Sequence, residues 1–310
     1  MTNNPHSTSI ATIVVTHNRK ELLLNCIEDL LSQTHPCDII VVDNASTDGT
    51  GSNLQDKGYL DDDRIHYFRL GENLGGAGGF HHGLKYAMSH GWEWFWLMDD
   101  DAEPERSALK NLVLRAQDSN TVYGSVAMGI KNGTKRLCWT KKVIDTGRLK
   151  SINDYERLQD VQEVQNVAFL GFFIHRDLVQ AIGLPDPTYF ICRDDYEYCE
   201  RAKKSGARFI LVKNSVIGHP VKGISRFRVL GMDIWYRNMP PWKTYYDTRN
   251  TILLVKAHYP TLLWRRTIPG MLLQSLCNVF TEKDRPFLLY AYAIGILDGL
   301  RNRRGQRFLP

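Results

Sequence analysis

Three consecutive carboxylates, Asp99, Asp100 and Asp101, follow an apolar run in WFWLMDDDAEP, residues 94–104. Like charges at adjacent positions repel, so a bound cation or a proton-handling task would account for their company. In a strand leading into a turn, the outer pair Asp99 and Asp101 can share one side, because side chains alternate with period two. Two carboxylates and a diphosphate make the hard oxygen shell that Mg2+ or Mn2+ takes. The alternative is an acidic turn loading the next helix N-terminus, with Pro104 in its first turn.

A second acidic cluster lies in RDDYEYCER, residues 193–201. Asp194 and Asp195 at a helix start could take a proton from a substrate hydroxyl, or could simply cap the helix. Glu197 and Arg201 stand four apart, the spacing of an ion pair on that helix. In GENLGGAGGFHHG, residues 71–83, the four glycines among residues 75–79 let backbone approach a ligand and let a helix N-terminus face an anion. A flexible turn is the other reading, since both the P-loop and the dinucleotide spacings are absent. His81 and His82 are adjacent, so they face different ways and read as structural or supporting groups. His219, in IGHP, gains a role only as a nitrogen ligand beside the aspartates.

These residues need elements to hold them. IATIVVT (10–16) is a β-branched run that reads as a buried strand, and Leu23, Leu24, Ile27, Leu30 and Leu31 then follow at helical spacing. CDIIVVDNASTDGT adds a second buried strand over Ile39–Val42, a third is expected around Arg64–Arg69, and WEWFWLMDDD is a fourth. Strands alternating with helices predict a parallel sheet, whose ligands sit beyond the carboxyl ends of the strands. Asp43 and Asp99–Asp101 both lie at such ends. Residues 120–165 read as less regular, and regular patterning resumes over VAFLGFFIHRDLVQAIG and PDPTYFICRDDYEYCERAKKSGARFILVKNSVIGHP.

The 310 residues are 43% hydrophobic and 24% charged, which supports a sizeable core in one large domain or one domain plus an extension. A net charge of +5 suits an anionic substrate or a membrane surface, and is too thin for a nucleic-acid partner. Six scattered cysteines without CxxC spacing, behind a polar start (MTNNPHSTS), are expected to be reduced thiols of a cytoplasmic protein. PFLLYAYAIGILDGLRNRRG, residues 286–305, is too short in its apolar part to span a bilayer. It reads as a packed C-terminal helix or an interfacial anchor drawn to anionic lipid.

TIVVTHNR, IIVVDNASTDGT, ENLGGAGG, WLMDDDAEP and DDYEYCERAKKSG, in that order, resemble an inverting family 2 glycosyltransferase of the GT-A fold. Within that family the resemblance is to bacterial galactofuranosyltransferases, and it runs from about residue 10 to 255. It implies an α/β fold, a Rossmann-like mixed sheet with flanking helices over 1–255; the chain beyond it, 256–310, reads as a helical extension that is either packed on the domain or peripheral to a membrane. It further implies metal-dependent transfer of galactofuranose from UDP-galactofuranose to a hydroxyl of a lipid-linked glycan, as in O-antigen or other surface polysaccharide assembly. A dTDP-rhamnose donor is the alternative. From other classes, a nucleotidyltransferase or a non-catalytic sugar-nucleotide-binding protein remains, although THNRKELL stands where a nucleotidyltransferase has a glycine-rich basic loop.

By that resemblance Thr16, Arg19, Asp43 and Asn44 line the nucleotide pocket, and Asn73 and Gly75 border the nucleotide sugar. Asp99 and Asp101, with Asp100 between them, resemble the DxD element that holds Mn2+ or Mg2+, His219 completing the shell. Asp195 resembles the catalytic base, with Asp194 holding sugar hydroxyls. Phe172 and Phe173 occupy the acceptor-site aromatic pair, where the galactofuranosyltransferase pattern carries tryptophans. Lys222 or Arg226 would help neutralise the departing UDP, and YYDTRN (245–250) matches an element near the active site.

Overall fold

The computed structural model describes residues 9–131, 134–220, 224–229, 232–237, 239–281 and 285–308, with residues 130, 131, 134, 224–229, 232–237 and 279–281 described through their backbone. Two compact units emerge: the chain up to Pro185 together with Tyr198–Val221, and Asp186–Glu197 together with the chain from Lys222 onward.

The first unit is built on strands β1 (Ile10–Thr16), β2 (Asp38–Asp43), β3 (Ile65–Arg69) and β4 (Trp94–Asp99), with helices α1 (Lys20–Leu31), α2 (Thr50–Asp56) and α3 (Gly75–His90) between them. All seven residues of β1 are buried, which is why its run carries no polar alternation. β1 lies between β2 and β4, parallel to both, with Val14 opposite Val41 on one side and Met98 on the other. β3 continues the parallel set beside β2. Alternation sends Ile13 and Val15 to one core layer with Phe80, Leu84 and Leu97, and Val14 to the other with Leu23, Ile27 and Trp96.

The sheet then turns mixed. β5 (Glu103–Pro104), α4 (Ala108–Val113), β6 (Thr121–Lys131), β7 (Thr134–Leu137), β8 (Lys141–Asp145), β9 (Arg148–Ile152), β10 (Val161–Glu163), β11 (Phe172–His175) and α5 (Arg176–Ile182) follow. After α6 (Asp194–Lys204) comes β12 (Arg208–Gly218). The sheet order is β10-β12-β6-β11-β4-β1-β2-β3, with β5 on β12 and β7 on β6. β11 runs antiparallel to β4 and β6, whereas β12 runs parallel to β6. Residues 120–165 are thus strand-rich, against the irregular reading. SINDYERLQD holds the end of β9 and a 3-10 turn at Tyr155–Arg157, and the exposed strand β9 gave no apolar signal.

Gly79 and Gly83 let α3 lie directly on β1 and β2. A Cβ on Gly79 would overlap Val15, and one on Gly83 would overlap Ile13 and come within 3.0 Å of Val42. Gly76, by contrast, has open space around it.

The second unit holds the hairpin β13 (Ile224–Val229) and β14 (Met232–Arg237), and the helices α7 (Pro241–His258), α8 (Ile268–Thr281) and α9 (Arg285–Leu300). A short π-helical turn, Leu263–Thr267, precedes α8. α7 and α9 approach closely because Gly295 and Gly299 face Thr248 and Ile252, at 2.9 and 2.8 Å from where a Cβ would stand. The expected limit at residue 255 falls inside α7, which belongs whole to this unit.

Candidate active site

At the carboxyl edge of the parallel strands, Thr16 ends β1, Asp43 ends β2 and Asp99 ends β4, with Thr16 opposite Asp43 and Val15 opposite Asp99. The strand stops at Asp99, so the three aspartates part company. Asp99 is exposed, while Asp100 and Asp101 fold into the following turn and are 2% and 6% exposed. Burying two carboxylates side by side requires cations and donors. Thr16 Oγ1 donates to Asp100 at 2.8 Å. Arg19 spreads its fork across both, Nη1 to Asp100 at 2.7 Å and Nη2 to Asp101 at 2.9 Å. Burial still pushes the Asp100 carboxyl up to about 6, against the opposing pull of Arg19 and Thr16.

The second oxygen of Asp101 lies 3.5 Å from Nε2 of His219. His219 is the first residue beyond β12. Its backbone N–H donates to the Met128 carbonyl at 2.8 Å, and its ring meets the edge of Trp139 with centroids 6.0 Å apart. One buried carboxylate oxygen and one imidazole nitrogen form a donor pair suited to Mn2+ or Mg2+, beside Asp99 at the strand end. Among the described residues no three His, Cys, Asp or Glu groups surround one point. Such a pair would leave the remaining positions to diphosphate oxygens and water, the habit of these cations at phosphate sites.

The other candidate nucleotide-site residues bind one another. Asp43, 1% exposed, accepts from Tyr67 Oη and from the Ser46 N–H, both at 2.7 Å. Burial and that contact raise the Tyr67 phenol. Asn44 donates to the Gly75 carbonyl at 2.7 Å and accepts from the Leu74 N–H at 2.9 Å, which ties the end of β2 to the start of α3. Asn73 accepts from the Gly75 N–H at 2.9 Å, in a residue pair that turns the chain into α3 with Gly75 at φ +70°. Asn44 and Asn73 therefore shape the turn with the side-chain atoms expected to meet the nucleotide.

The acceptor assignment of Phe172 and Phe173 is corrected. Both are 0% exposed. Adjacent strand residues face opposite layers: Phe172 meets Phe169, and Phe173 stacks on Trp94 with centroids 4.7 Å apart. They are core, and no acceptor reaches them.

Within the second unit, Asp194 and Asp195 open α6, and Asp195 accepts from the Tyr196 N–H at 2.8 Å. The chain enters this turn through three non-glycine residues at positive φ, Phe190, Cys192 and Arg193 (63°, 68° and 67°). Each costs of order 1–3 kcal/mol and persists only where neighbours over-determine it. α7 supplies the hold. Asn250, fully buried, donates to the carbonyls of Tyr189, Ile191 and Cys192, all at 2.8 Å, Arg249 donates to Tyr189 at 3.0 Å, and Asp247 pairs with Arg193 at 2.9 Å. YYDTRN signalled that this element matters, but nothing local named the loop it grips. Glu197 lies 3.7 Å from His258. Lys222 and the side chain of Arg226 fall outside the described residues.

Lys141, absent from the candidates, is 6% exposed with its ammonium 4.9 Å over the Trp139 ring, and burial brings its pKa down to about 8. It opens β8, and the adjacent Lys142 gives no local sign that this lysine is the buried one.

Residues 11–183 match the family model described as Glycosyl transferase family 2. The chain belongs to that family. The glycosyltransferase is 25% identical over 302 residues to the dTDP-rhamnosyl transferase RfbF of Shigella flexneri, covering 96% of this chain and 98% of that one. It is 27% identical over 242 residues to galactofuranosyltransferase GlfT1 of Mycolicibacterium smegmatis, 73% of this chain and 76% of that one. Among solved structures it resembles GalNAc-T7 with UDP, GalNAc and Mn2+, at a TM-score of 0.60 and 14% identity over 82% of this chain, and it spans about half (48%) of that structure's length. The likeness is one of fold, and the fold is GT-A: a mixed sheet with flanking helices, here with a helical C-terminal part.

Proposed function

We propose that this family 2 enzyme transfers galactofuranose from UDP-galactofuranose to a hydroxyl of a glycan acceptor, with inversion. What carries the reading is the Arg19-braced pair Asp100 and Asp101 beside His219, at the edge where parallel strands place their ligands. Asp101 and His219 would hold a divalent cation, which supplies charge for a leaving diphosphate oxygen. Arg19 braces the two carboxylates and holds them in place. Asp195 takes the proton of the acceptor hydroxyl as that oxygen bonds to the anomeric carbon, and the bond to the diphosphate breaks on the opposite face. One displacement inverts the configuration, and Asp194 holds hydroxyls beside it. Asn44, Asn73 and Asp43 act by shaping the donor-side turn.

A second donor, dTDP-rhamnose, is favoured by the end-to-end match with RfbF, which covers 96% of this chain against 73% for GlfT1. Donor hydrolysis with Mn2+ across UDP-galactofuranose, UDP-galactopyranose, UDP-glucose and dTDP-rhamnose separates the two. Release of UDP from the furanose donor alone supports the first reading, and release of dTDP overturns it. Calorimetry with UDP and Mn2+ tests the residue roles: Asp195→Ala keeps binding and loses transfer, Asp101→Ala loses Mn2+-dependent binding, and equal binding losses would refute the division.

A further inference from the structure

We infer that the outward faces of α8 and α9 are an interfacial membrane anchor that seats the second unit on anionic lipid. In α8, Leu272, Leu273 and Leu276 are each at least 51% exposed, and with exposed Pro269 they fall at i, i+3, i+4 and i+7, a single stripe. The opposite side of the same helix, Met271, Ser275 and Asn278, is buried. In α9, Phe287 and Tyr290 are 66% and 52% exposed while Leu288, Ala291 and Tyr292 are buried. Both helices are therefore apolar on the side that faces away from the protein, where a water-facing helix carries charge. No Asp, Glu, Lys or Arg occurs at 268–281 or 286–297.

The chemistry at the ends of these stripes selects a lipid surface as the occupant. Trp264, 65% exposed, is followed by exposed Arg265 and Arg266 at the entry to α8, and Arg301 and Arg303 stand exposed just beyond α9. Arginine at the rim, aromatic rings beside it and leucines between are the composition of a helix lying in the headgroup region. Among the described residues no helix is long and apolar enough to cross a membrane, so the contact is planar. The inference stands for either donor sugar.

Flotation of the full chain with vesicles tests it, using phosphatidylcholine alone and phosphatidylcholine with phosphatidylglycerol. The wild type floats with the anionic vesicles and less with the neutral ones, and added salt weakens binding. Arg265→Glu with Arg266→Glu lowers partitioning by at least about tenfold. Leu272→Ser with Leu273→Ser and Leu276→Ser abolishes flotation at an unchanged melting temperature, and Leu273→Ser alone gives a partial loss should the triple variant unfold. Unchanged flotation of the arginine variant and of Leu273→Ser overturns the proposal. So does a wild type that ignores both vesicles and forms a dimer that Leu273→Ser disrupts, because the face then belongs to a second copy.

Discussion

Placing an alanine at Gly83 and another at Gly76 separates two meanings of the glycine-rich segment. Both positions lie in α3, and both gain from alanine's helix propensity by about 0.5–1 kcal/mol. They differ in what the new methyl meets. At Gly83 it overlaps Ile13 and presses on Val42 at 3.0 Å, two β-branched residues in fully buried strands that have little room to yield. Overpacking of that kind costs about 1–3 kcal/mol, so the net loss is about 1–2 kcal/mol. At Gly76 nothing lies within 4 Å, so the propensity gain stands alone. The two variants should therefore differ by the overpacking cost alone, about 1–3 kcal/mol, in urea unfolding followed by tryptophan fluorescence. Donor affinity of Gly83→Ala, measured in the absence of urea, should match the wild type, because this glycine serves packing. A Gly83→Ala variant as stable as Gly76→Ala, or one that loses donor binding without losing stability, would refute a packing role for Gly83.

Arg19→Ala should destabilise by about 1–3 kcal/mol, a figure discounted because the guanidinium is 44% exposed. The loss should be largest above pH 6, where Asp100 is ionised, and should shrink on acidification; equal losses at pH 5 and pH 8 would contradict this. Lys141 sits at about 8 in the folded chain against 10.5 in the unfolded one, so between those values the unfolded chain binds more protons and stability rises with pH. Lys141→Met should flatten that rise and stabilise the protein at pH 7 by up to about 3 kcal/mol, and denaturation across pH 7–10 reads both effects. Asn250→Ala should cost about 1–3 kcal/mol by taking the side-chain donor from the carbonyls of Ile191 and Cys192, while Tyr189 keeps Arg249. Asn250→Asp should be no better, since a carboxylate cannot donate; a wild-type melting temperature for the aspartate variant would remove Asn250 from its holding role.

The parallel half of the sheet was legible because it is written locally. Ile10–Thr16 and Ile39–Val42 are short apolar runs with a helical pattern between them, and each declares its own element. What escaped the sequence was long-range. Strand alternation suggested a shared side for Asp99 and Asp101, but the strand ends at Asp99, and the partner that decides the geometry is Arg19, some eighty positions away. Phe172 and Phe173 are indistinguishable by type from a binding pair until β4 and β6 cover them. Positive φ at Phe190, Cys192 and Arg193 has no signature at all, because it is imposed by α7. The glycines signalled close approach, and at Gly79 and Gly83 what comes close is the strand beneath α3.

The strand order also sets a timetable for synthesis. β4, β1, β2 and β3 are adjacent in the sheet and all lie within the first hundred residues, so they can assemble as soon as they leave the ribosome. One edge of that partial sheet is β4, carrying Trp94 and Trp96, and its cover is β11, which emerges roughly 70 residues later. At about 5–20 residues per second the edge stays open for about 4–14 s. An unpaired, aromatic, hydrophobic edge invites another chain to add to it. The nascent chain is thus most prone to aggregation while it is half made, and slower translation between Asp99 and Phe172 would lengthen that exposure.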